Sequence, residues 1–272
     1  MVERPPTNWV RPPERVALES GAVHVWRFRL DVPASELERR MCTLSPDERA
    51  RAGRFAFRRD RKRFIAARSE LRRLLSRYTQ CPAHLLRFTY GDHGKPSLER
   101  PPYADPIGLN VTHSGEWALY AVAPTPTVGV DVECVRTDFD AAELAAMNFS
   151  AAEQAALRRL PLQRRTEAFF DCWTQKEAFV KAEGQGLSIP LSEFDVRIGG
   201  CPELCAIGGD AARAERWTLR AADPAPGYLG ALAVEGAAWE VRFFDGAGLR
   251  KAAWPPRRRS IASGYSASRM VL

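Results

Sequence analysis

Three stretches rich in β-branched and aromatic residues, Ala22–Phe28, Trp117–Val122 and Thr127–Glu133, predict strands. Strand side chains alternate between faces, so Asp131 and Glu133 of Gly129-Val130-Asp131-Val132-Glu133 point to the same side. Two carboxylates held side by side repel unless a cation or a proton lies between them. Farther along, the apolar period becomes helical. Ala168, Phe169, Cys172, Trp173, Phe179 and Val180 fall within one arc, which predicts a helix with that face on a core. Glu177 and Lys181 lie at the edge of the arc, one turn apart, while Lys176 projects into it, where a solvated lysine is not expected. An ordinary surface pair and a snorkelling lysine would give the same pattern, so the helix alone leaves both readings open.

The pattern repeats. Ser45-Pro46-Asp47-Glu48 has the form of a capping box with Pro46 at the first helical position, and Ser150-Ala151-Ala152-Glu153 has the same form 105 residues later. The strand-like segments that precede the boxes keep this spacing, with Val25 and Val130 also 105 residues apart. A second helix follows each box, announced by Arg58-Arg59 and by Arg164-Arg165. In this register Trp26 and Phe28 stand where Asp131 and Glu133 stand. A packing role alone would not require that exchange; a site present in one copy would.

Composition narrows the classes. The 272 residues with 45% hydrophobic content suit a soluble globular chain of one large or two modest domains. No apolar stretch approaches a membrane span, and Met1 to Arg15 lacks a signal-peptide core, so the expectation is a cytoplasmic protein without a membrane partner. The six cysteines are scattered and lack zinc spacing, which favours reduced thiols and an oxygen-bound metal, if any. The net charge is +7, carried mostly by arginine. Such a balance suits phosphorylated ligands, acidic proteins or nucleic acid. The segment from Trp254, with Arg257, Arg258 and Arg259, reads as a poorly ordered basic tail.

Tyr90-Gly91-Asp92-His93-Gly94-Lys95-Pro96 is a turn that presents a lysine, and Asn110-Val111-Thr112-His113-Ser114-Gly115 sits at a strand–turn boundary. The Thr-His-Ser cluster suits an anion-binding corner or a plain turn. No Gly-x-Ser-x-Gly elbow supports a serine hydrolase.

Taken in order, Gly94-Lys95-Pro96, Asn110 to Gly115, Gly129 to Glu133, Trp173-Thr174-Gln175-Lys176-Glu177-Ala178-Phe179-Val180-Lys181 and Gly184-Gln185-Gly186-Leu187 resemble the motifs of the 4′-phosphopantetheinyl transferases, in the surfactin-synthetase-activating, two-half type. The similarity spans roughly residues 23–241. It implies an α+β fold built as a pseudo-two-fold duplication, each half an antiparallel sheet with packed helices. The expected division is an N-terminal half at 1–124, a C-terminal half at 125–245 with the magnesium and catalytic motifs, and a tail at 246–272.

The resemblance also implies roles. Asp131, Glu133 and Glu177 match magnesium ligands, and Glu177 also matches the base that takes the serine proton. Lys181 matches a catalytic lysine near the pyrophosphate of coenzyme A, Lys95 and Pro96 match the segment at its adenine end, and Thr112 and His113 match a pair at its phosphates. Arg51 and Arg63 fall where the family places phosphate-binding cations. Glu48 stands where a lysine is common, and Thr112 replaces the usual serine. The implied partners are acidic apo acyl or peptidyl carrier proteins of fatty-acid, polyketide or peptide synthesis, served by a monomer that binds no nucleic acid. Two rivals are a metal-dependent phosphoesterase acting on a coenzyme A-like nucleotide and a basic nucleic-acid-binding protein. Neither accounts together for the carboxylate pair, the Gly-Lys-Pro turn and the Glu/Lys helix.

Overall fold

The computed structural model describes residues 4–91, 94–99, 106–184 and 189–251. Asp92 and His93 of the expected turn, Gln185, Gly186 and Leu187, and the expected tail from Trp254 lie outside the described residues. The first part of the chain runs β1 (Ala22–Arg29), α1 (Ala34–Met41), α2 (Pro46–Gly53), α3 (Arg58–Thr79), β2 (Phe88–Tyr90), β3 (Pro96–Leu98), β4 (Gly108–Ser114) and β5 (Trp117–Ala123). The second runs β6 (Val128–Cys134), α4 (Ala141–Asn148), α5 (Ala151–Arg158), α6 (Leu162–Glu183), β7 (Phe194–Val196), β8 (Leu204–Ile207), α7 (Ala211–Ala214), β9 (Trp217–Ala221), β10 (Tyr228–Glu235) and β11 (Glu240–Asp245). A strand followed by three helices, the last of 22 residues, thus occurs twice. Capping boxes start the middle helix each time, Ser45/Glu48 on α2 and Ser150/Glu153 on α5. The fold is α+β with a pseudo-two-fold repeat.

Of the four sheets among the described residues, the first has the order β11-β1-β5-β4 and the second β6-β10-β9, with β2-β3 and β7-β8 as two-stranded pairs. Pairing is antiparallel throughout the second sheet and among β1, β5 and β4. The sheets are antiparallel as expected except at one edge, where β11 lies parallel to β1, with Val25 opposite Phe243. A hairpin would force antiparallel pairing, whereas β11 reaches β1 by crossing over from the other sheet. The last strand of the 125–245 segment therefore belongs to a sheet otherwise built from residues before 124.

Alternation along the strands stacks the layers. Val23 and Val25 of β1 meet Val128, Val130 and Val132 of β6 between the sheets. Trp26 and Phe28 point the other way, into a cluster with Leu71, Leu74 and Leu75 of α3. Ala231 and Ala233 of β10 pack against Phe169, Cys172 and Phe179 of α6. The order is α3, first sheet, second sheet, α6. Each fully buried aromatic or leucine contributes roughly 1.5–3 kcal/mol of burial.

Each capping-box glutamate also holds its long helix. Glu48 pairs with Arg68 and with Arg72, the latter Nε 2.6 Å from Oε2. Glu153 pairs with Lys176 at 2.8 Å. Lys176 does not snorkel: it is fully buried, and its ammonium also donates to the carbonyls of Leu191 and Phe194 at 2.7 and 2.5 Å. Removing one partner from such a buried pair costs about 3–5 kcal/mol. No helix among the described residues is long and apolar enough to cross a membrane.

Candidate active site

The face of β6 opposite the inter-sheet core carries Gly129, Asp131 and Glu133. A Cβ at Gly129 would stand 2.0 Å from the carbonyl oxygen of Ala178 and 2.4 Å from the amide nitrogen of Ala182, so β6 and α6 touch backbone to backbone. Alternation turns Asp131 and Glu133 toward the same helix, which offers them Lys181 and Glu177. The Lys181 Nζ lies 2.5 Å from Asp131 Oδ1. All four side chains line one open cavity of about 640 Å³, rimmed by Trp173 and Met147.

Strand β4 holds the carboxylates from the other half. It runs alongside β6 and reaches it through side chains: Val130 N donates to Asn110 Oδ1 at 3.0 Å, Thr112 Oγ1 to Asp131 Oδ1 at 3.0 Å, and Ser114 Oγ to Glu133 Oε2 at 2.8 Å. The Thr-His-Ser cluster is therefore the end of a strand, and two of its hydroxyls orient carboxylates. Ser114 was visible only as part of that cluster; nothing local in the sequence couples it to Glu133.

The electrostatics follow from crowding in a partly dry cleft. Burial raises the Glu177 carboxyl above its ordinary pKa, Lys181 opposes the rise, and Asp131 and Glu133 add to it. Burial likewise raises Glu133, against the Ser114 hydrogen bond and with Asp131 adding to the rise. Lys181 is held protonated: burial works against its charge, but Asp131 and the two glutamates outweigh it. The cation expected between the carboxylates is thus in part this ammonium.

The donor types, carboxylate oxygens, suit a hard metal ion. Among the described residues no group of three or more His, Cys, Asp or Glu side chains stands together closely enough to hold a metal ion. The fit lies in the oxygens themselves: Asp131 Oδ2 is buried and without a hydrogen-bond partner among the described residues, beside two carboxylates that open onto a cavity. A hard cation there would complete its shell with further oxygens.

A second cavity, of about 490 Å³, adjoins the first, and Arg51, Pro96, Thr112, His113 and Lys181 share its wall. Lys181 lines both. Arg51 lies over the Phe64 ring at 5.4 Å. Burial, then the charges of Lys181 and Arg63, lower the pKa of His113. One candidate is engaged elsewhere. Lys95 donates to the carbonyls of Pro126 and Ala182, both at 3.0 Å, and so caps the end of α6; burial lowers its pKa to about 8. Arg63 Nε lies 3.7 Å from Asp31 Oδ1. Sequence reasoning missed Arg68 and Tyr90 in this wall, where Arg68 donates to the Tyr90 hydroxyl at 2.6 Å.

Known proteins share this arrangement of sequence. Residues 127–228 match the family described as the 4′-phosphopantetheinyl transferase superfamily, and residues 32–125 match 4′-phosphopantetheinyl transferase, N-terminal. The 4′-phosphopantetheinyl transferase HetI of Nostoc sp. is 36% identical over 237 residues, 87% of this chain and 98% of that protein. The chain belongs to the 4′-phosphopantetheinyl transferase superfamily. The transferase is also 34% identical to 4′-phosphopantetheinyl transferase Sfp of Bacillus subtilis over 176 residues, 64% of this chain and 76% of that one. The crystal structure of Thermotoga maritima holo-[acyl-carrier-protein] synthase matches 40% of the transferase and 62% of its own chain, at 24% identity and a TM-score of 0.32. In the transferase, the gap between the two family matches falls in the connection from β5 to β6.

Proposed function

We propose that this enzyme transfers the 4′-phosphopantetheine group of coenzyme A to a serine of an apo acyl or peptidyl carrier protein, with magnesium, releasing 3′,5′-ADP. The observation that carries the reading is the place of Lys181 in the wall common to two cavities. Arg51 and His113 on one side suit a polyanionic nucleotide. Asp131, Glu133 and Glu177 on the other suit a metal ion and a proton acceptor.

Those three carboxylates would hold magnesium, which when bound supplies positive charge to the diphosphate oxygens. Glu177 takes the proton of the serine Oγ as the Oγ–P bond forms at the pantetheine-side phosphate. The bond from that phosphorus to the bridging oxygen breaks, and the oxygen leaves with its electron pair in 3′,5′-ADP. Lys181 donates hydrogen bonds to phosphate oxygens as they gain charge. The net charge of +7 favours encounter with acidic carrier proteins.

Mass spectrometry of apo carrier proteins incubated with the enzyme, coenzyme A and magnesium tests the reading. A gain of one phosphopantetheine on a serine is expected. Release of 3′,5′-ADP without a carrier protein, and no mass gain with one, would establish a phosphoesterase instead.

A further inference from the structure

We infer that Arg4, on the arm preceding β1, is a positioning residue for the transfer reaction, fastening α6 to β10 beside the Asp131–Glu133 row. The inference rests on the site assignment under Proposed function. The Arg4 guanidinium pairs with Asp171 of α6 and donates to the carbonyl of Gly230 on β10, and its Nη2 lies 3.0 Å from Asp223 Oδ1. Gly230 stands opposite Val132 in the β6–β10 ladder, between the pairs Ala231–Asp131 and Leu229–Glu133. Asp171 lies six residues before Glu177 on one continuous helix. One side chain therefore ties the helix bearing Glu177 and Lys181 to the strand paired with the carboxylates.

The tie is built on both sides. Asp171 is itself braced by Gln175 Nε2 and by Gly199 N, both at 3.2 Å. The arm is held by Trp9 Nε1 donating to the Asp223 carbonyl at 2.7 Å, by Thr7 Oγ1 accepting from Asp223 N at 3.0 Å, and by Val10 N donating to Phe243 O at 2.9 Å. Reaching a helix, a strand and a loop at once uses the planar fork of arginine, which a lysine ammonium does not reproduce. Without Arg4, the buried Asp171 and the half-buried Asp223 are left with no shared cation, and α6 loses this tie at mid-length.

The test compares Arg4→Met and Arg4→Lys with the wild-type enzyme in the carrier-protein assay, at temperatures where circular dichroism shows each fully folded. For Arg4→Met, kcat should fall about tenfold, because small displacements of reacting groups are costly. Its KM for coenzyme A should stay within about twofold, and added guanidinium should restore part of the rate. Arg4→Lys should fall between the two. Hydrogen exchange should quicken in α6 from Gln175 to Lys181 more than elsewhere. Unchanged kcat per folded molecule, or exchange that quickens evenly along the chain, would overturn the inference. Should the wild-type enzyme itself show no transfer, the proposed function fails, and the exchange comparison still decides the role of Arg4.

Discussion

Gly129→Ala tests whether the backbone contact between β6 and α6 sets the site. The added methyl carbon would stand 2.0 Å from the Ala178 carbonyl oxygen and 2.4 Å from the Ala182 nitrogen, both helix backbone that no rotamer change can move. Heavy atoms rest in contact at about 3.5 Å, so the strand and helix must part by on the order of 1 Å. Overpacking of this kind costs roughly 1–3 kcal/mol, which corresponds to a Tm lower by about 5 °C. The same parting pulls Lys181 from its 2.5 Å contact with Asp131 and moves Glu177 with it. A displacement of about 1 Å at reacting groups costs about a hundredfold in rate, so kcat should fall far more than stability suggests. Calorimetry gives the first quantity, and transfer to an apo carrier protein with coenzyme A gives the second. The KM for coenzyme A should change less than kcat, because Arg51 and His113 stand on elements of the other half and only Lys181 of that wall moves. Wild-type Tm together with wild-type kcat in Gly129→Ala would refute the reasoning.

Two further predictions follow from buried charges. Asp131→Asn should lower transfer by about two orders of magnitude or more and also lower Tm, because Lys181 loses the carboxylate that holds it; near-normal turnover at ordinary magnesium would sink the site assignment. His24 is buried, with Nδ1 2.7 Å from the Tyr78 hydroxyl, and burial followed by the nearby Arg242 charge lowers its pKa from 6.5 to about 4. The unfolded chain therefore takes up this proton first as pH falls. The stabilisation is complete above pH 6.5 and is lost progressively down through pH 4, by up to about 3 kcal/mol. Urea unfolding between pH 7 and 4 should show a steeper decline for the wild type than for His24→Gln, and equal slopes would remove the assignment.

Much of the fold was legible because its signals are local. The capping boxes at Ser45 and Ser150 announce α2 and α5 within four residues, and the arc from Ala168 to Val180 announces the buried face of α6. Two-residue alternation alone puts Asp131 and Glu133 on one side of a strand, and one helical turn alone brings Glu177 beside Lys181. Even the repeat is a matter of spacing, and it exposed the exchange of Trp26 and Phe28 for two carboxylates.

What periodicity cannot carry is the choice of partner. A lysine in a Gly-Lys-Pro turn is equally free to meet a ligand or a helix end; packing sends Lys95 to the carbonyl of Ala182, 87 residues away. Glu48 serves as the anchor of Arg68 and Arg72. Ser114 finds Glu133 only because β4 and β6 come to lie side by side from different sheets. The parallel seat of β11 and the reach of Arg4 to Asp171, 167 residues on, have the same origin. The sequence by itself determined which residues share a strand face or a helix turn, since backbone geometry fixes those within a few residues. The tertiary structure alone decided which cation meets which carboxylate and how closely α6 approaches β6, because those depend on layers brought together from distant parts of the chain.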